Sequence, residues 1–152
     1  MSDEPLTNAA VERIRDWYDV LNELVEPPSL TPADSVTDDF AYSDRRKGVN
    51  FGEGDASHMA RMFRGYWEVG GHPHFSIVEV IAVRGEWSAA YRQRIVYGGS
   101  DMFIELIRVV DRDPVGDRLR RMVLFDMDDV DAAIAELDRM HAETDGRSEE
   151  PS

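Results

Sequence analysis

Short apolar-rich segments separated by more polar turn residues fill the stretch from His74 to Asp126, and this pattern predicts β-strands. Val, Ile, Tyr and Phe are frequent there, and turn-forming residues divide the stretch into segments. Four consecutive strands are predicted, over Phe75–Val83, Trp87–Tyr97, Asp101–Val110 and Leu119–Asp126. The rest of the chain is expected to cover this sheet.

Glycines between the strands predict tight turns. Gly98-Gly99 is interpreted as a two-residue hairpin loop, because glycine accepts the positive φ of primed turns. This loop would place Arg92 opposite Glu105 in a cross-strand ionic cluster. A second tight turn is predicted at Arg84-Gly85.

Strand alternation then sorts the side chains onto two faces. The first face is nearly all apolar and is expected to lie under helices; it holds Val78, Val80, Ala82, Trp87, Ala89, Tyr91, Ile95, Met102, Ile104 and Leu106. The second face mixes apolar and charged residues: Phe75, Ile77, Glu79, Ile81, Arg92, Arg94, Phe103, Glu105, Ile107 and Val109. A face exposed to water would be more polar, so we expect this one to be partly buried, most simply against a second copy of the chain.

Helical periodicity flanks the predicted sheet. The predicted elements are a helix from about Thr7 to Val25 capped by Thr7, a short helix from Thr31 to about Thr37, a short strand over Asp38–Asp44, a helix from Ala56 to about Val69 capped by Asp55, and a last helix capped by Asp128 with a buried stripe reaching Met140. This order predicts an α+β fold in which N-terminal helices wrap a curved antiparallel sheet, with a C-terminal helix.

Composition narrows the functional classes. The chain has 152 residues and a net charge of −14, which argues against nucleic acid or an anionic membrane as a partner. It has no cysteine, so thiol catalysis and thiolate metal sites are excluded. We assign one domain to residues 6–143 and a polar, disordered tail to residues 144–152. No bilayer-spanning run or signal peptide is recognisable, so a cytoplasmic location is expected.

Two stretches carry a resemblance to a known family. Residues Asp39–Arg46 precede a glycine-rich loop, and residues Val123–Asp129 enter the last helix. Both resemble SnoaL-like members of the nuclear-transport-factor-2-like superfamily, including actinobacterial proteins. The resemblance implies a cone-shaped pocket between helices and sheet, and a homodimer through the sheet. It implies no single activity, because this cone hosts enzymes and non-catalytic binding modules alike.

The candidate catalytic residues are Tyr42, Asp44, Arg45 and Asp126. A carboxylate beside an arginine can act as a base or hold a water molecule, and a tyrosine can donate a hydrogen bond. The alternative for Asp44 is a structural salt bridge at the strand end, and the alternative for Asp126 is a role in helix entry. The spacing of His72 and His74 around a proline indicates a turn, so no metal and no cofactor are predicted.

Large aromatic residues and methionines are the candidate ligand contacts: Trp17, Tyr18, Phe40, Tyr42, Phe63, Trp67, Tyr91, Met102 and Met122. They favour a domain that binds a small apolar or mixed organic molecule, either without catalysis or with an activity still to be defined. An isomerase-like or hydrolase-like enzyme with an aspartate base is the first alternative. A dimerisation module whose cone is filled by its own side chains is the second.

Overall fold

The computed structural model describes residues 6–23, 36–47, 53–70, 72–97, 102–113 and 118–149. The elements are α1 (Ala9–Asn22), β1 (Val36–Asp44), β2 (Glu53–Gly54), α2 (Ala56–Gly70), β3 (Pro73–Arg84), β4 (Ser88–Tyr97), β5 (Phe103–Arg112), β6 (Leu119–Phe125) and α3 (Val130–Glu149).

Within the described residues, six strands form one curved sheet in the order β2-β1-β6-β5-β4-β3. Strands β3 to β6 are consecutive antiparallel neighbours, as the sequence predicts. Strand β1 returns to pair in parallel with β6, and it pairs with β2 in antiparallel orientation. The predicted α+β fold is confirmed.

One face of the sheet, called the inner face below, packs against α1 and α2. Its core contains Tyr18, Leu21, Tyr42, Met59, Trp67, Phe75, Tyr91, Ile95, Leu106, Val110, Met122 and Leu124, among others. Burial of this apolar surface is the main stabilising contribution to such a fold.

The opposite face, called the outer face below, packs against α3. Ile107 and Val109 of β5 and Phe125 of β6 contact a helix stripe that includes Leu137 and Met140. The second face is therefore partly buried, as alternation predicts. The protein's own last helix provides this part of the cover, and the second copy of the chain stays a prediction.

Two register shifts in the β3–β4 ladder change which side chains face inward. They lie between Ile77 and Glu79 and between Val80 and Ala82. Each shift inserts an extra residue and reverses the alternation that follows it. Ile77 therefore packs on the inner face and Ala82 on the outer face, opposite to the prediction, while Val78 is 49% exposed.

The strand pairing predicted from Gly98-Gly99 is wrong, and these glycines themselves lie outside the described residues. The Tyr97 amide donates to the Met102 carbonyl instead of lying opposite Ser100, so the register is shifted by two residues from the prediction. Arg94, not Arg92, lies opposite Glu105. Because the shift is even, the faces of β4 and β5 stay as predicted.

The ends of α1 hold β3 and the turn after it. Asn8 caps the helix in place of the predicted Thr7, with its Oδ1 accepting from the Val11 amide at 3.0 Å. Its Nδ2 also donates to the carbonyls of Gly85 and Ser88, at 3.0 and 2.9 Å. Gly85 has a φ of +55°, which glycine adopts without strain. The turn has three residues between the paired Arg84 and Ser88, one more than predicted.

Other boundaries differ in detail. Strand β1 begins at Val36, which the sequence assigns to a short helix; residues 31–35 lie outside the described residues. Helix α2 matches its prediction, and Asp55 accepts from the amides of Ser57 and His58 at its start. Helix α3 begins directly after Asp129, one residue later than the predicted cap, and continues to Glu149, into the predicted tail.

Candidate functional site

Gln93 of β4 and Arg108 of β5 are fully buried polar residues in the middle of the inner face. Gln93 alternates with Tyr91 and Ile95, both members of the inner core. Arg108 alternates with Leu106 and lies directly opposite Tyr91. Polar groups at such positions are uncommon, because burial costs free energy unless hydrogen bonds replace water.

Gln93 has an unusual environment for a buried amide. Its nitrogen and its oxygen both lack a hydrogen-bond partner among the described residues, although the side chain is 0% exposed. Its neighbours across the ladder are Ile77 on β3 and Leu106 on β5, which have no polar side-chain atoms. A donor and an acceptor are therefore buried together in an apolar setting.

A tyrosine pair lies next to this position. The hydroxyls of Tyr18 on α1 and Tyr91 on β4 are 2.7 Å apart. Burial and the neighbouring Tyr18 raise the pKa of Tyr91 well above its ordinary value, although the charge of Arg108 acts in the opposite direction. The Tyr91 hydroxyl therefore keeps its proton at physiological pH.

Arg108 brings a guanidinium group into the same layer. It has the largest fully buried side chain described, and its Nη1 lies 3.1 Å from the sulfur of Met122. Across the β4–β5 ladder it is the diagonal neighbour of Gln93, a spacing of roughly 7–8 Å within reach of long side chains. The inner face therefore carries an amide, a guanidinium and two phenols within one apolar cluster.

Aromatic rings surround these polar groups. The Tyr18 ring stacks on Phe75 at 5.6 Å and on Trp17 at 5.9 Å, and the Trp67 ring lies 5.8 Å from Phe75. Such contacts suit the flat apolar body of an organic molecule as well as a protein core.

Most of the predicted ligand contacts come together in this cluster. Tyr18, Phe40, Tyr42, Trp67, Tyr91 and Met122 are buried members of the inner core, and Trp17 packs partly buried against it. Met102, directly before β5, is 63% exposed and lies outside this buried cluster. The side chain of Phe63 lies outside the described part of α2.

Asp44 forms a buried ion pair with Arg46, and not with the catalytic candidate Arg45. The Arg46 guanidinium binds both carboxylate oxygens, at 2.9 Å through Nε and 2.6 Å through Nη2. The Tyr42 hydroxyl donates to the same carboxylate at 3.4 Å, and the Arg46 amide donates at 3.2 Å. Both oxygens of Asp44 already accept hydrogen bonds, which favours the structural alternative over a free base.

Arg45 lies on the other side of the sheet. Its Nη2 is 3.3 Å from Glu136 on α3, and its guanidinium carbon lies 5.6 Å from the centre of the Phe125 ring. It borders an outer-face cleft of about 380 Å³ with Arg121, Arg139 and Glu136. Burial would raise the pKa of the Glu136 carboxyl, but the hydrogen bond from Arg139 and the nearby arginine charges outweigh it and lower that pKa.

Asp126 is half-buried at the end of β6. Its Oδ2 accepts from the Lys47 amide at 2.9 Å, and its carbonyl accepts from the Asp129 amide at the start of α3. The carboxylates of Asp126, Asp128 and Asp129 lie within 4.8 Å of one another, a common feature of exposed acidic turns. The contacts of Asp126 match its predicted role in helix entry.

Sequence reasoning overlooked Gln93 and Arg108, although a signal for both was present. Their positions follow the alternation that places Tyr91, Ile95, Ile104 and Leu106 on the apolar face. A polar residue at a position that alternation assigns to an apolar face is itself the signal, because removing its side chain from water costs free energy. Phe75 was overlooked for a different reason. The bulges of β3 place its side chain on the inner face, whereas regular alternation assigns it to the outer face.

Solved structures with a similar fold come from diverse organisms. A protein of unknown function with a cystatin-like fold from Methylobium petroleophilum PM1 is 20% identical, with a TM-score of 0.60, and the match covers 80% of this chain and 78% of that chain. A SnoaL-like family protein from Agrobacterium tumefaciens is 15% identical, with a TM-score of 0.57 and coverage of 77% and 96%. A pinacolase from Penicillium brevicompactum is 12% identical, with a TM-score of 0.59 and coverage of 90% and 97%.

No family model and no curated protein matches the chain. No helix in the described ranges is long and apolar enough to cross a membrane. At identities of 20% and below, the structural matches establish the fold and leave the activity open. The chain has the α+β cone fold of SnoaL-like and nuclear-transport-factor-2-like proteins.

Proposed function

We propose that this protein binds a small organic molecule on the inner face of the sheet, beneath α1 and α2. The observation that carries the proposal is Gln93, whose amide is fully buried and has no hydrogen-bond partner in the described part of the chain. A ligand with polar atoms at this point would satisfy the amide and would place its apolar body against the surrounding aromatic rings.

The free-energy cost of Gln93 supports this proposal. A buried donor or acceptor without a partner costs roughly 1–3 kcal/mol, and Gln93 has one of each. A leucine or methionine would fill the same position without that cost. Binding sites commonly retain groups that destabilise the free protein because the ligand needs them.

The neighbouring groups define a ligand of mixed character. The proton of Tyr91 and the guanidinium of Arg108 are potential donors near Gln93, while Phe75 and Trp67 provide an apolar wall. Pockets of this composition use a few polar groups to orient a largely apolar ligand. In this proposal the ion pair of Asp44 with Arg46 stabilises the end of β1 and takes no part in chemistry.

We also propose that the protein is a homodimer through the sheet. Phe103 is 52% exposed at the start of β5, beyond the core that α3 covers, and the Arg94 guanidinium lies 4.9 Å from its ring centre. Arg94 pairs with Glu105, and Arg92 pairs with Glu79, both at 3.1 Å. An apolar residue beside charges of both signs suits a surface that meets its own copy about a two-fold axis.

A change of Gln93 to methionine tests ligand binding. Gln93→Met removes the unsatisfied amide at nearly constant volume, so the free energy of unfolding of the ligand-free protein should rise by about 1–3 kcal/mol. The matched control is Arg92→Met, one residue along the same strand but on the outer face, which should change stability by about 1 kcal/mol or less. Denaturant unfolding measures both.

The same two variants are then compared in a thermal-shift screen against neutral aromatic compounds of two to three rings. Compounds that raise the melting temperature of the unmodified protein and of Arg92→Met should have no effect on Gln93→Met. The proposal would be contradicted if Gln93→Met were less stable than the unmodified protein and if no compound raised the melting temperature of one more than that of the other.

A further inference from the structure

We infer that the ligand, on the proposed function above, presents a hydrogen-bond donor and an acceptor side by side, as a lactam or cyclic imide does. The inference deepens that proposal by naming the chemical edge that meets Gln93. It rests on both amide atoms of Gln93 being buried and unsatisfied.

A primary amide has a fixed geometry. Its NH₂ group donates and its oxygen accepts, and both are bound to the same carbon in one plane. Turning the amide by 180° exchanges the two atoms, so the same requirement holds for either orientation. A group that only accepts hydrogen bonds, such as a carboxylate or a lactone, can pair with the amide nitrogen. It leaves the amide oxygen without a donor and places a second oxygen next to it. A cis-amide edge satisfies both atoms with two parallel hydrogen bonds.

The side chains next to Gln93 in the sheet do not hydrogen-bond to its amide, so we assign both hydrogen bonds to the ligand. Ile77 and Leu106 lie across the ladders on either side, and Tyr91 and Ile95 precede and follow it on the same face. Among these, only Tyr91 has a polar side-chain atom, and its hydroxyl lies 2.7 Å from that of Tyr18. The amide is therefore flanked by apolar groups within the sheet, and its ligand would approach from the helix side.

Local charge adds a second restriction. The buried guanidinium of Arg108 lies diagonally across the β4–β5 ladder from Gln93, so the site has a positive potential in a poorly screened setting. Such a potential disfavours cations and favours electron-rich oxygen atoms. A neutral lactam or imide carries a polarised carbonyl oxygen and no positive charge, and it fits both restrictions.

Three bicyclic compounds of nearly equal shape test the inference. Isoquinolin-1(2H)-one presents N–H and C=O side by side, isocoumarin replaces the N–H with a ring oxygen, and 2-methylisoquinolin-1-one blocks it. Calorimetric titration of the full chain with each compound gives the dissociation constants. We expect the lactam to bind at least about tenfold tighter than either analogue, because a site built for a hydrogen-bonding edge rejects compounds that leave its polar atoms unpaired.

Two variants locate the preference. Gln93→Met should bind all three compounds within about twofold of one another, whereas Arg92→Met should keep the preference of the unmodified protein. Equal binding of the three compounds to the unmodified protein would overturn the edge inference and leave the proposed binding function standing. Tighter binding of isocoumarin would also overturn it. If none of the three compounds binds at millimolar concentration, the result would count against the edge inference and against the proposed binding function.

Discussion

Two adjacent arginines after β1 show how much one position changes the role of a residue. The side chain of Arg46 is 10% exposed and binds the fully buried carboxylate of Asp44, whereas that of Arg45 is 43% exposed and reaches Glu136 on the other side of the sheet. Breaking a buried pair leaves a charge without compensation, but an exposed pair contributes little.

We therefore predict unequal effects of the same substitution. Arg46→Met should lower the free energy of unfolding by about 3–5 kcal/mol, because Asp44 would stay buried without its partner. Arg45→Met should lower it by about 1 kcal/mol or less. Denaturant unfolding of both variants measures the difference. Equal losses would show that the pair with Asp44 is not the interaction that stabilises this strand end.

At the scale of elements, α1 is fastened to the sheet at both of its ends. Asn8 caps the helix and also binds two carbonyls of the β3–β4 turn region, while Asn22 accepts from the Phe75 amide at 2.7 Å and donates to its carbonyl at 2.9 Å. Asn22 satisfies backbone groups of Phe75 that no neighbouring strand reaches, since β3 is an edge strand, and Asn8 satisfies two carbonyls at the β3–β4 turn. The helix is thereby held across the inner face, above Tyr91 and Phe75.

Asn8→Ala should consequently cost more than an ordinary helix cap. The loss of a cap costs about 1 kcal/mol, and each of the two further hydrogen bonds adds about 1 kcal/mol, so we expect a loss of about 2–3 kcal/mol. Thr7→Ala is the matched control, because the exposed Thr7 hydroxyl donates to the Glu12 carboxylate within the same helix end and makes no described contact with the sheet. Thermal unfolding should separate the two variants clearly. A loss of 1 kcal/mol or less for Asn8→Ala would indicate that the turn contacts contribute nothing.

At the scale of the whole molecule, α3 covers only part of the outer face. Its stripe packs over β3 to β6 through Ala133, Leu137 and Met140, and it leaves Phe103 exposed near the far end of β5. The proposed dimer would use this remaining surface, while the proposed ligand site lies on the opposite face. The proposed dimer contact and the proposed ligand site therefore use separate surfaces and can be tested separately.

The dimer predicts a specific sensitivity to charge. Phe103→Glu should shift the sedimenting species from dimer to monomer, because a carboxylate buried in a contact loses hydration. Val20→Glu is the control, since Val20 is 59% exposed on α1 and lies on the other side of the sheet. Analytical ultracentrifugation gives the mass of each variant. A monomeric original protein, or equal behaviour of the two variants, would contradict the interface.

The sequence by itself determined the elements and their general packing. Helical and strand periodicities located α1, α2, β3 to β6 and α3, because the side chains that must leave water recur with the period of each element. The same pattern, together with the resemblance of two short stretches, predicted the α+β cone. It also named most of the aromatic residues that meet on the inner face.

Only the tertiary structure decided which polar groups meet. The bulges of β3 reverse its alternation, and the register of β4 with β5 places Glu105 opposite Arg94 instead of Arg92. The choice of Arg46 over Arg45 as the partner of Asp44 follows from the end of β1, where successive side chains leave on opposite sides. Periodicity along one strand predicts which residues face the core. A site depends on which residues of neighbouring strands meet, and a register shift of one residue is enough to change those contacts.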